Sequence, residues 1–527
     1  MLSLFKVFMS KDVEKPLIET INSGYITQGK KVEHFEDLLK EYIGNQYLLT
    51  LNSATSGLTL ALRLLKNKIP ELDWPGFNEN EDIVISSPLT CFATTCGILA
   101  NQCNIKWCDV DLNTCNMCLE DLKKKLNKNT KVIYLVHWGG YPNDLDKLEE
   151  IKEYCLNKYG FKPMIVEDCA HSFGAKYKDL NIGNSNNISV FSLQAIKHLT
   201  TGDGGIICLP HKCLYDRAKL LRWYGIDREK RNKGTDFRLE NDIIEWGYKY
   251  HMNDINATIG IFNLPHINDL LKKNRDNANF YNNKLKNIIG VKLMQIENFI
   301  NSAYWLYTIK VKKKDEFIEF MKSKNIMVSQ VHKRNDTNEC VKEYKEELTK
   351  LDYLEKKIVC IPVGWWITFQ DREYIVKCIK DFYNEYQNLD YKIRRLEIDD
   401  YHKDYLTLIN SNVSLEDFKN YLDIKNNITL VVEYNSKIIG TGNLFINTSL
   451  RYNISKIGYI ENIFVNEKYK DFGIGKKIIN ELVKLSNENK CFITKLICKE
   501  ELCKYYKNLN FKEYQNSMCI LKKNNFK

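Results

Sequence analysis

No uncharged apolar run in this 527-residue chain approaches the length that crosses a bilayer, and its first residues show no signal-peptide pattern. Both absences lead us to expect a cytoplasmic protein with no membrane partner. Long blocks of one charge are missing too. The net charge of +10, from 77 Lys+Arg against 67 Asp+Glu, is spread along the chain and reads as a solvated surface that favours anionic substrates. No DNA- or RNA-binding motif accompanies it, so no nucleic-acid partner is expected. Seventeen cysteines would describe a disulfide scaffold only in a small secreted chain. Here most lie within or beside apolar segments and read as reduced thiols. The single CxxC, Cys115–Cys118, has neither a second pair nor a histidine pair at zinc spacing, so no metal is expected. What the chain does have is length and 44% hydrophobic residues, enough for two or more domains with sizeable cores.

Two short runs carry chemistry. Val166-Glu167-Asp168-Cys169-Ala170-His171 follows an apolar segment from Pro163, and Phe191-Ser192-Leu193-Gln194-Ala195-Ile196-Lys197 follows another from Ile188. Each segment reads as a buried strand, and strand ends can direct a carboxylate, an imidazole, a hydroxyl and an amine into one crevice. One chemistry needs an acid and a lysine in that relation. Pyridoxal 5'-phosphate is held by a lysine as a Schiff base, while a carboxylate keeps its ring nitrogen protonated. Lys197 and Asp168 are the candidates, and Gly202, Gly204 and Gly205 behind Lys197 allow a close backbone approach. Upstream, Asn52-Ser53-Ala54-Thr55-Ser56-Gly57 opens an apolar-periodic helix, where free N–H groups and hydroxyls can bind phosphate. The polar, Gly/Pro-interrupted stretch Trp74–Asp82 reads as a surface insertion, and Val132–His137 as a strand with His137 at its site end.

Together these motifs resemble the DegT/DnrJ-type sugar-nucleotide aminotransferases, over roughly Phe5–Tyr386. The resemblance implies an α/β, aspartate-aminotransferase-like fold (type I among pyridoxal phosphate enzymes), with a large lobe over about 1–265 and a small lobe over about 266–389. It implies phosphate contacts from Ala54, Thr55 and Ser192, and an aromatic lid from Phe92 on the cofactor ring. It also implies a contact from His171 to the ring oxygen. Most relatives place an Asn, reaching the neighbouring subunit's phosphate, near where Lys249 stands with His251 close by. A homodimer with shared sites is therefore implied. Two loops, Val331-His332-Lys333-Arg334-Asn335 and Pro362-Val363-Gly364-Trp365-Trp366, read as returning to the cleft to bind substrate.

A second module, 390–527, begins near Ile393. Strands at 430–433, 438–443 and 458–465 lead to Lys470-Asp471-Phe472-Gly473-Ile474-Gly475-Lys476 and a helix, Ile478–Leu485. A basic Gly-x-Gly turn between strand and helix can cradle a pyrophosphate on N–H groups. With this ordering the module resembles GNAT N-acetyltransferases, an α+β fold, and most closely glucosamine-6-phosphate N-acetyltransferase. The resemblance implies acetyl-CoA contacts from Ile463, Val465, Lys470, Asp471, Gly473, Ile474, Gly475 and Lys476. Tyr506 would be the general acid for the departing thiolate. Asn462 and Ile497 stand where that enzyme has carboxylates near its acceptor.

The expected protein is a bifunctional enzyme. It would transaminate a UDP-linked 4-keto-6-deoxy-hexose with glutamate as donor, then acetylate the new amine from acetyl-CoA. Two alternatives stay open at this level: separate substrates, with glucosamine 6-phosphate acetylated by the second module, and a cofactor-binding scaffold without turnover.

Overall fold

The computed structural model describes residues 1–79, 81–228, 242–387, 389–450, 455–470, 472–498, 502–507 and 509–513. It divides into two compact units, 1–382 and 383–527.

The first unit is built on a seven-stranded sheet. Its strands are β1 (Leu48–Leu51), β2 (Ile83–Ser86), β3 (Asn104–Trp107), β4 (Thr130–Val136), β5 (Met164–Asp168), β6 (Ile188–Ser192) and β7 (Gly205–Cys208), in the order β1-β7-β6-β5-β4-β2-β3. Strands β2 to β6 pair in parallel, and β7 alone runs antiparallel to its neighbours β1 and β6. These strands read as apolar runs because helices cover both faces of a parallel sheet. Val84, Val132, Val166, Val190 and Ile207 are fully buried on one face, and Ile85, Ile133 and Ile165 pack on the other. The helix Ala54–Leu65 lies close to the sheet because Gly57 has no side chain there: a Cβ would stand 2.7 Å from Val190 Cγ1. One expectation fails in this region. Trp74 is not surface: it is 1% exposed, and its indole N–H donates to the Leu65 carbonyl at 2.7 Å. An aromatic in a polar stretch is anchored by its apolar body even where its neighbours are wet.

The same unit carries a small antiparallel sheet, β8 (Val291–Leu293), β9 (Tyr307–Val311) and β10 (Ile358–Ile361), in the order β8-β9-β10.

The second unit is a five-stranded sheet, β11 (Lys392–Arg395), β12 (Asn427–Tyr434), β13 (Lys437–Ser449), β14 (Ser455–Val465) and β15 (Cys491–Leu496), ordered as in the chain. All neighbours are antiparallel except β14 and β15, which are joined in parallel through the helix Ile474–Glu488. That helix presses Ile478 and Leu482 onto Gly442, where a Cβ would stand 2.7 Å and 3.1 Å from them. The pairing of β13 with β14 shifts between Thr441 and Asn443, and Asn462 has φ +54°. This is a bulge that opens the sheet locally. Among the described residues, no helix is long and apolar enough to cross a membrane.

Candidate active site

In the first unit the polar groups gather at the carboxyl ends of the parallel strands, where open α/β sheets leave a crevice. Asp168 closes β5 and is buried. Its Oδ2 accepts from Thr94 Oγ1 at 2.6 Å and its Oδ1 from the Ala170 N–H at 3.0 Å. Burial pushes its carboxyl above the ordinary value, against the pull of those two donors and of the Lys197 charge. Lys197 is half-buried as a residue, but its amine end is enclosed. Nζ lies 3.6 Å from the centroid of the Trp305 ring. Burial brings that amine down to about 8, with Asp168 working in the opposite sense. A desolvated lysine of this kind is a nucleophile near neutral pH.

His171 is buried and flat against Trp305, with centroids 4.0 Å apart and planes at 16°. His332 lies parallel to it, with centroids 5.4 Å apart and planes at 2°. Burial, then the Lys197 charge, keeps His171 neutral, well below its ordinary value. Trp305 also donates its indole N–H to the Ile196 carbonyl at 2.9 Å, fixing the backbone next to Lys197. Phe92, the first residue of the helix Phe92–Leu99, faces a cleft of about 380 Å³ that Thr90, His332, Lys333 and Asn335 also line.

The helix Ala54–Leu65 is capped by Ser53, whose Oγ accepts from the Ser56 N–H at 3.0 Å. As the first two helical residues, Ala54 and Thr55 have N–H groups with no i−4 carbonyl inside the helix, the kind of terminus that can receive an anion. Gly205 fits against this turn because a Cβ would stand 2.4 Å from the Ser53 carbonyl carbon. Ser192 ends β6 and is buried, its Oγ accepting from the Gln194 N–H at 3.3 Å. Lys249 is exposed, with Nζ 5.2 Å from the Trp223 ring centroid, and its carbonyl accepts from Asn52 Nδ2 at 3.3 Å.

Two expectations need correction. His137 does not face the cleft: its Nε2 pairs with Glu167 Oε2 at 3.2 Å, and Ser185, Asn187 and Ser189 also donate to that carboxylate. Glu167 and Asp168 point to opposite sides because side chains alternate along a strand. The Pro362–Trp366 loop packs on the N-terminal segment instead. Trp366 donates to the Ser3 carbonyl at 3.0 Å, and Trp365 meets Phe8 edge-on at 5.5 Å. Thr94 and Trp305 join the site as well, neither of them expected from the sequence. Thr94 stands two residues after Phe92 in a motif already in view, whereas Trp305 carries no local signal.

In the second unit Gly473 has φ +89° and caps the helix Ile474–Glu488 without a side-chain hydrogen bond. The first-turn N–H groups of Ile474, Gly475 and Lys476 are thus left for an anion. Val465 borders this turn, with its Cγ2 3.7 Å from where a Gly475 Cβ would stand, and Ile463 turns toward Gly442 on the helix side of the sheet. Lys470 is exposed and paired with Glu467, while Asp471 lies outside the described residues. Tyr506 is half-buried in the helix Cys503–Lys507, edge-on to Phe511, and burial raises its hydroxyl pKa. The adjacent Tyr505 hydroxyl comes within 3.6 Å of the Gly475 Cβ position.

Residues 8–380, well over half of the chain, match the DegT/DnrJ/EryC1/StrS aminotransferase family. The chain belongs to that family. Residues 391–511 match the acetyltransferase (GNAT) family, so an acetyltransferase domain follows the aminotransferase. Among solved structures, AtS13 from Actinomadura melliaura is 41% identical, with a TM-score of 0.68 over 72% of this chain and 98% of that one. The sugar aminotransferase CalS13 from Micromonospora echinospora is 38% identical, with a TM-score of 0.68 over 72% of this chain and 100% of that one. A UDP-4-amino-4,6-dideoxy-N-acetyl-beta-L-altrosamine transaminase from Campylobacter jejuni subsp. jejuni is 30% identical over 296 residues, 56% of this chain and 72% of the relative. The first unit therefore has the type I fold of pyridoxal phosphate enzymes. Aminotransferases of this family use pyridoxal 5'-phosphate, and GNAT domains use acetyl-CoA. The donor set fits the first: a buried carboxylate, an enclosed amine and a helix N-terminus against which only a glycine fits. The uncapped turn at Gly473 fits the second.

Proposed function

We propose that one chain makes an amino sugar and then acetylates it. In this reading residues 1–389 transaminate a UDP-linked 4-keto-6-deoxy-hexose to its 4-amino form with glutamate as donor, and residues 390–527 transfer acetyl from acetyl-CoA to the new amine. The observation that carries the first half is the buried carboxylate of Asp168 at the end of β5 together with the enclosed amine of Lys197 in the turn after β6, each within reach of the other's charge. The amine at carbon 4 is supported by the name of the Campylobacter relative.

Pyridoxal phosphate, when bound, supplies an electron sink for the carbon that bears the nitrogen. The chain does the rest. Lys197 Nζ would hold the cofactor and afterwards, as a free amine, move the proton to and from that carbon. Asp168 would hold a proton at the ring nitrogen, with Thr94 and Ala170 fixing the carboxylate. Phe92 would cover the ring, His171 would contact its oxygen, and Ala54, Thr55 and Ser192 would bind the phosphate. Lys249, exposed on its own chain, would reach the phosphate of a second subunit in a homodimer. In the acetyltransferase, Gly473, Ile474, Gly475 and Lys476 would cradle the pyrophosphate, with Ile463, Val465, Lys470 and Asp471 along the cofactor. Tyr506 would protonate the departing thiolate. We place the protein in the cytoplasm, which agrees with the free thiols of its described cysteines.

The test is a visible spectrum with and without glutamate, followed by the mass of the nucleotide sugar. The reading expects a cofactor band that glutamate bleaches and that Lys197→Ala lacks, and a 4-keto sugar converted to an amine. A band that glutamate never changes would point to the scaffold alternative. Acetylation of glucosamine 6-phosphate would support separate substrates, which Asn462 and Ile497 disfavour.

A further inference from the structure

We infer that His332 is a positioning residue of the aminotransferase site, aimed by a strained turn so that its imidazole fixes His171. The inference rests on the reading of the site given above. Val331, immediately before it, has φ +72°. A β-branched residue in the left-handed region is a genuine outlier, and such strain persists only where the surroundings over-determine it.

The surroundings do so on both sides. Before the turn, the Val331 N–H donates to Ser329 Oγ at 3.0 Å, and the His332 N–H donates to the Gln330 carbonyl at 3.0 Å. Gln330 Nε2 returns a bond to the His332 carbonyl at 3.1 Å. After the turn, Arg334 grips Asp336 through two bonds of 2.8 Å and 2.6 Å. The Asn335 N–H donates to the Pro88 carbonyl at 2.8 Å, and its Nδ2 donates to Thr95 Oγ1 at 2.9 Å. The turn that carries His332 is thereby tied to the segment that carries Phe92.

The result is one specific contact. His332 Nε2 and His171 Nε2 are 3.4 Å apart. The other nitrogen of His171, Nδ1, accepts from the Gly139 N–H at 3.3 Å. A neutral His171 therefore carries its proton on Nε2, and His332 Nε2 is the acceptor beside it. Trp305 stacks on His171, and Trp138 stands edge-on to both imidazoles at 6.1 Å and 5.9 Å, so neither ring is free to turn. The charged and titratable groups whose fields reach His171 are Lys197, His332, His198 and, from the Glu167 side of the strand, His137. His332 keeps the proton of His171 on Nε2 and that nitrogen on one bearing, and the same N–H would be shared with the ring oxygen once the cofactor is bound.

Two replacements separate hydrogen bonding from packing. His332→Gln keeps an acceptor and loses the ring, and His332→Phe keeps the ring and loses the acceptor. On the full-length holoenzyme, H332F is expected to lower kcat about tenfold, the equivalent of one hydrogen bond, with KM for both substrates changed less than about twofold. H332Q is expected to retain most of kcat. Val331→Gly, which relieves the backbone, is expected to keep or raise the thermal midpoint while lowering kcat about threefold. A readout without turnover is exchange of the His171 ring C2 hydrogen, followed by mass spectrometry in the cofactor-free protein. It is expected to quicken in H332F and to stay near wild type in H332Q. Unchanged exchange and unchanged kcat in H332F would overturn the inference. A wild-type protein that never transaminates would overturn the reading of the site instead, and the exchange measurement would still decide the role of His332.

Discussion

Thr94 Oγ1 donates a 2.6 Å hydrogen bond to Asp168 Oδ2, from the helix that opens with Phe92. The ring-covering residue and the acid's support thus arrive on one element. Thr94 also shares a 2.8 Å bond with Thr90 Oγ1, which fixes its rotamer. Thr94→Val keeps the shape and removes the donor, so the buried carboxylate loses a partner of its charged form and its pKa rises further. Affinity for pyridoxal phosphate should fall about tenfold, the worth of a hydrogen bond to a charged group. Titration of the cofactor into the apoprotein, followed by absorbance, measures it. Equal affinity in the variant would remove Thr94 from the site.

The lowered value of Lys197 makes a second prediction. Burial disfavours its ammonium, so the free amine prevails above about 8 and the protonated form below it. The rate of cofactor uptake by apoprotein should therefore climb with pH, reach half its maximum near that value and then level off. Lys197→Ala should bind weakly and without that dependence. Stopped-flow absorbance would show it, and a rate independent of pH in the wild type would contradict the assignment.

Three histidines predict acid lability. Burial, first among the causes, holds His171 well below its ordinary value, His198 at about 3 and His332 at about 4. The unfolded chain takes up these protons near 6.5, whereas the folded chain refuses them until lower pH. Stability is thus complete above about 6.5 and is lost as pH falls toward the folded values, at about 1.4 kcal/mol per histidine per pH unit. The thermal midpoint should drop between about pH 7 and about pH 5, before most carboxylates titrate. A flat midpoint over that range would show that these imidazoles are not held neutral.

Gly473 offers a test confined to the second unit. Its φ of +89° is left-handed, and among the described residues no atom stands within 4 Å of where a Cβ would be. Gly473→Val therefore meets only backbone strain, about 1–2 kcal/mol, and shifts the turn whose N–H groups we assign to the pyrophosphate. Acetyl-CoA binding, measured by calorimetry, should weaken at least tenfold, while amine formation continues at the wild-type rate. Unaltered binding would move the cofactor elsewhere.

Much of the architecture was legible because buried parallel strands announce themselves. The apolar runs that end in Asp168 and Ser192 are β5 and β6, and the small residues after Asn52 do open a helix. Local chemistry was legible for the same reason. Motifs that lie within a few residues of a strand end need no knowledge of the fold. What stayed hidden depends on distance along the chain. Trp305 reaches Lys197 across more than a hundred residues, and no spacing rule points from one to the other. His137 follows a strand that ends near the site, but the parity of Glu167 against Asp168 decides which carboxylate it meets. Trp74 sits in a polar stretch whose composition hides a single buried anchor.

The central claim is that both reactions act on one molecule. Full-length protein would be incubated with a UDP-linked 4-keto-6-deoxy sugar, heavy-nitrogen glutamate and heavy-carbon acetyl-CoA, and the sugar nucleotide weighed. The account predicts a single product that carries the heavy nitrogen and the heavy acetyl group together, and none of it from Lys197→Ala. An amine that bears the heavy nitrogen and never gains acetyl would contradict the coupling, leaving the acetyltransferase to another acceptor.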